Sequence, residues 1–74
     1  MTKQIVFYEV NDAAPHQYTF KSELARQIFD SLNNAGAISD RVIHQRSYGT
    51  KIETDKALTE LLNARMIVRR TGTF

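Results

Sequence analysis

A chain of 74 residues has room for one small domain, and a domain of that size buries only roughly 60% of the surface its unfolded chain exposes. It contains no cysteine, so neither disulfides nor a thiolate zinc site supplement the core, and the fold must rest on packing. The net charge of +2 gives little support for nucleic-acid binding in bulk, and no apolar run approaches the ~20 residues of a membrane span.

Residues 3–10 carry Ile5, Val6, Phe7, Tyr8 and Val10, a β-branched and aromatic set that predicts a strand near 4–10. Residues 11–16 hold the single proline, Pro15, and an Asn11-Asp12 pair, the chemistry of a turn. Residues 16–20 place Tyr18 and Phe20 on one face, so the coarse reading of 4–20 is a β-hairpin. From Ser22 the spacing becomes helical, with Leu24, Ala25, Ile28, Phe29, Leu32 and Ala35 on one face and Gly36 as terminator. Ser39 caps a second, shorter helix ending near Ser47, with Asp40 in its first turn and Ile38 and Ile43 at staple spacing. A connector runs through Tyr48, Gly49, Thr50 and Lys51. Thr54 and Asp55 then repeat the capping pattern for a third helix with Ala57, Leu58, Leu61 and Leu62 inward. Met66, Ile67 and Val68 return to strand character, predicting a strand near 66–70. Leu24, Ile28, Leu32, Leu58, Leu61, Leu62 and Ile67 are the expected core.

Three helices, the middle one short and the last leading into a strand, resemble the winged helix-turn-helix superfamily. The matching features are the apolar stripe and Gly36 of the first helix, Ala37 and Ile38 where that family places a short strand, and the run ALTELLNARMIVRR at 57–70. The resemblance implies an α+β fold: a three-helix winged-helix-like core with a small antiparallel sheet, in one domain over 1–74. Four features depart from the family pattern. Arg65 stands where glycine is usual; the connector 48–53 is longer than a compact turn; little chain follows Arg70 to build a two-stranded wing; and the third helix lacks a basic face. The N-terminal hairpin is expected to replace the missing wing strand by pairing with 66–70.

Charge is unevenly distributed. The balance is +2 over residues 39–51, −2 over 53–60 and +3 over 65–70, so positive charge flanks the third helix. Arg41, His44, Arg46 and Lys51, with Arg69 and Arg70, form the candidate phosphate-gripping set. On the third helix Asp55, Lys56, Thr59, Glu60 and Asn63 are expected to face outward. Lys56 and Asn63 suit guanine and adenine edges, while the acids oppose a phosphate field. The aromatics Phe7, Tyr8, Tyr18 and Phe20 suit a base-stacking platform or, better, core packing. His16 and His44 lack metal-ligand spacing, no glycine-rich phosphate loop or catalytic set is present, and no cofactor is implied. The expected function is therefore non-enzymatic: a small cytoplasmic winged-helix protein binding double-stranded DNA, acting as a dimer, as a regulator or accessory factor of bacterial, phage or plasmid type. The alternative is a protein–protein interaction module, an inhibitor or adaptor, that uses the acidic third helix or the hairpin edge.

Overall fold

The computed structural model describes residues 4–15, 17–46 and 49–73. Six elements follow in order: β1 (Gln4–Val10), α1 (Glu23–Ala35), β2 (Ala37–Ser39), α2 (Asp40–Arg46), α3 (Lys51–Asn63) and β3 (Ile67–Thr73). The α+β class holds, with three helices and a three-stranded antiparallel sheet in the order β2-β1-β3. Strand β1 is central: β2 pairs with it through Phe7↔Ser39, Tyr8↔Ile38 and Glu9↔Ala37. On its other edge β3 pairs with it from Gln4↔Thr73 to Val10↔Ile67.

The sheet corrects the predicted hairpin. Residues 17–20 form no strand, and His16 lies outside the described residues. The physical reason is that a strand has two hydrogen-bonding edges, and β2 and β3 occupy both edges of β1. Tyr18 and Phe20 instead pack as an aromatic cluster, with ring centroids 5.2 Å apart between Tyr18 and Phe20 and 5.6 Å between Phe20 and Phe29 of α1. The expectation that the C-terminal strand pairs with the N-terminal segment holds, and β3 continues past Arg70 through the tail to Thr73.

Strand alternation sorts the sheet into two faces. Tyr8 is buried, and Val6 and Val10 pack against the helices with it, whereas Ile5, Phe7 and Glu9 point away. The core between sheet and helices comprises Tyr8, Ala25, Ile28, Leu32, Ile38, Ile43, Ala57, Leu58, Leu61, Met66 and Ile67. Leu24 and Leu62, expected in that core, are half-buried at its margin.

Helix ends follow their sequence chemistry with one correction. Ser22 caps α1 by accepting from the Ala25 backbone N–H at 3.1 Å, and Gly36 terminates it at φ +86°. Ser39 accepts from the Val42 N–H at 3.3 Å, as its capping role requires. Helix α3, however, is capped by Thr50 rather than Thr54, because Thr50 and Glu53 form a reciprocal capping box. Thr54 lies one turn inside, buried, donating its hydroxyl to the Thr50 carbonyl at 2.9 Å. The connector between α2 and α3 is thus residues 47–50, close to the roughly three- or four-residue turn of a helix-turn-helix, so the expected overlong connector is also corrected. Of that segment Tyr48 lies outside the described residues, as does the expected helix end at Ser47.

Past Asn63 the chain turns through Ala64 into Arg65, whose φ of 61° is left-handed. The Met66 N–H reaches the Leu61 carbonyl at 2.9 Å and the Arg65 N–H reaches the Leu62 carbonyl at 3.1 Å, the two bonds of a Schellman closure. Asn11 secures this turn from outside. Its side-chain amide donates to the Arg65 carbonyl at 2.9 Å and its backbone N–H to the Met66 carbonyl at 3.0 Å.

Candidate nucleic-acid interface

The charged residues singled out in the sequence separate into three places. Arg41, His44 and Lys51 come together, lining with Asp40 and Gln45 a shallow open groove between α2 and the start of α3. Lys56 and Asn63 are exposed further along α3, about two turns apart, with Thr59 between them. Arg46 lies on the other side of α2, at the rim of a small apolar cleft with Leu24, Gln27, Ile28, Ser31, Ile38 and Ile43.

Arg69 and Arg70 do not act together, because neighbouring strand residues face opposite ways. Arg69 is paired in register with buried Tyr8 and so lies on the helix side, whereas Arg70 is paired with Phe7 on the outer face and forms an ion pair with Glu9. The half-buried ring of Phe7 and the buried ring of Tyr8 belong to the strand's packing.

The acids of α3 are engaged within the molecule. Glu53 closes the capping box at Thr50. Asp55 accepts from His44 Nε2 at 2.8 Å. Glu60, expected to face outward freely, is half-buried and accepts from the Tyr18 hydroxyl at 2.7 Å and the Lys21 backbone N–H at 2.9 Å. This corrects the reading of α3 as a bare acidic face: Glu60 fastens the segment before α1 onto α3, and the Tyr18 phenol is raised above its ordinary pKa by desolvation and by that carboxylate.

His44 is no ordinary surface histidine. Its Nδ1 sits 2.8 Å from the Asp40 backbone carbonyl and 3.5 Å from Asp40 Oδ1, and its Nε2 is on Asp55. The backbone hydrogen bond to Asp40 raises its pKa most, and Asp55 and Asp40 add to this against the opposing effect of burial. Asp40 Oδ1 also accepts from the Tyr8 hydroxyl at 3.2 Å, and burial followed by Asp40 pushes the Tyr8 pKa up to about 12. A polar chain thus runs Tyr8–Asp40–His44–Asp55 from the central strand through α2 to α3. Asp40 and His44 stand one helical turn apart in the sequence; Tyr8 and Asp55 join them through the fold, with no local signal to announce it.

Among the described residues no cluster of three or more His, Asp or Glu side chains could hold a metal ion, and no helix is long and apolar enough to cross a membrane. Comparison with protein-family models, with curated proteins and with solved structures finds no match.

Proposed function

We propose that this chain is a winged-helix variant that binds double-stranded DNA through α2 and α3, as a small cytoplasmic regulator or accessory factor of bacterial, phage or plasmid type. The observation that carries this reading is the internal engagement of Glu53, Asp55 and Glu60, beside which Lys51, Ile52, Lys56, Thr59 and Asn63 are exposed on α3. Asp40 lines the groove and Asp55 adjoins it through His44, whose protonated form offsets carboxylate charge there. The order α1-β2-α2-α3-β3 also supports it, with β1 lying beside β3 where a wing's returning strand would run.

In this arrangement Arg41 and Lys51, flanking one groove, grip phosphates, while Lys56 and Asn63 face base edges. Arg70 plays no part, being paired with Glu9 on the far side of the sheet. Fluorescence anisotropy against a labelled random-sequence duplex tests the assignment. Wild type binds with a steep loss of affinity on added salt, and Arg41→Ala, Lys51→Ala or Lys56→Ala each weakens binding and lowers the salt slope by about one. Arg70→Ala leaves both unchanged.

The interaction-module alternative is favoured by one observation, the outer sheet face. There Ile5, Phe7 and Val68 lie half-buried outside the core formed with the helices. A protein partner on that face makes Phe7→Ala, rather than Lys51→Ala, the damaging change.

A further inference from the structure

Both ring nitrogens of His44 point at oxygens that only accept, the Asp40 carbonyl and the Asp55 carboxylate. A neutral imidazole carries one N–H and satisfies one of them; the imidazolium satisfies both. Helix α2 buries Ile43 and packs Val42 against the core, and His44 Nε2 adds a polar link from it to Asp55 of α3. The groups facing His44 are drawn from every neighbouring element. Asp40 and Arg41 come from α2, and Lys51 and Asp55 from α3. Tyr8 of β1 acts through its bond to Asp40, with Arg69 of β3 close enough to Tyr8 to influence its ionisation.

We propose that His44 is a proton-operated strut between α2 and α3 that makes DNA binding pH-dependent: protonated, it holds both acceptors and cancels carboxylate charge between Arg41 and Lys51; deprotonated, it holds only one of them and cancels no charge. The regulation rests on the DNA-binding reading above, while the strut itself is a property of the free protein. Loss of the proton leaves a lone pair facing an acceptor at one end of the strut and removes one positive charge from the groove. The sign follows from linkage. The folded-state pKa of His44 is raised, so the bridge is complete below the ordinary imidazole value of about 6.5 and is lost as pH rises through the folded value.

Imidazole proton NMR titration of the free protein, with the His44 resonance assigned by its absence in His44→Gln, reads the strut directly. A midpoint above that of unfolded protein supports it, and a midpoint at or below overturns it whatever the protein binds. Anisotropy with a random duplex at pH 6 and pH 8, at fixed ionic strength, reads the regulation. Wild type is expected to lose about three- to tenfold in affinity between the two, from one lost charge and a looser α2, while His44→Gln shows little change with pH and Asp55→Asn, in which His44 still titrates, keeps a smaller change than wild type. Asp55→Asn removes the bridging carboxylate without touching the histidine, so the test survives if His44→Gln folds poorly. Equal pH dependence in wild type and Asp55→Asn overturns the switch. No retention of duplex at either pH overturns the DNA reading, and with it the regulation, while the NMR midpoint still decides the strut.

Discussion

Helices α1 and α3 are each 13 residues long and both contribute to the same core, yet they are built in different ways. On α1 the charges are settled locally: Arg26 pairs with Glu23 and, at 3.1 Å, with Asp30 on its own exposed face. On α3 they are settled at a distance, Asp55 by His44 and Glu60 by Tyr18 and Lys21. Their ends differ too, since α1 stops on Gly36 and α3 on Arg65, both with positive φ. Glycine takes that conformation at no steric cost, whereas arginine pays for its Cβ. One helix is thus a local, self-contained element. The other is a junction, held by segments far away in sequence, and it is the one whose exposed side carries Lys51, Lys56 and Asn63 together with Ile52.

Substitutions sharpen that contrast, beginning with what the two helices share. Leu32 of α1 and Leu61 of α3 are both fully buried, so Leu32→Ala and Leu61→Ala should each cost about 2–5 kcal/mol in denaturant unfolding, enough to threaten so small a domain. A loss confined to Leu32→Ala would mean that α3 is not an equal partner in the core. Glu60→Ala removes the long-range fastening, and the expected cost is about 1–2 kcal/mol with faster amide exchange at Lys21; unchanged exchange there would break the junction account. The two terminators should respond with opposite signs. No neighbouring atom would crowd a Cβ at Gly36, so Gly36→Ala should cost about 1 kcal/mol from backbone strain alone, while Arg65→Gly should raise the melting temperature through a gain of similar size. A lowered melting point for Arg65→Gly would contradict the strain at that turn.

What could be read in the sequence follows the same division. Helix α1 was legible from Ser22 to Gly36 because its cap, apolar stripe and terminator all lie within the segment. β1 and β3 were legible from β-branched composition, but the second partner of β1 was not: residues 16–20 had the alternation of a strand, while Ala37–Ser39, which takes that edge, was suggested only by the family resemblance. The start of α3 was misplaced because Thr54-Asp55 looks like a cap, while the Thr50–Glu53 box one turn earlier satisfies two backbone donors at once. Within the candidate interface, Arg41 and Lys51 group together by local charge in the sequence, while their proximity depends on a connector shorter than the one expected. The opposite facing of Arg69 and Arg70 was implicit in strand alternation, but which of them lay on the helix side depended on the register with Tyr8. The engagement of Asp55 and Glu60 had no sequence signal, since their partners stand 11 to 42 positions away.

The function proposed above puts duplex DNA on the α2–α3 face rather than on the outer face of the sheet. Titrating a short random-sequence duplex into isotopically labelled protein at low salt, and following backbone amide shifts, tests it most directly. The account predicts shifts concentrated at Arg41, His44, Lys51, Lys56 and Asn63, with Phe7, Glu9 and Arg70 unmoved. Shifts confined to the outer sheet face, or none at all from a folded protein, would contradict it.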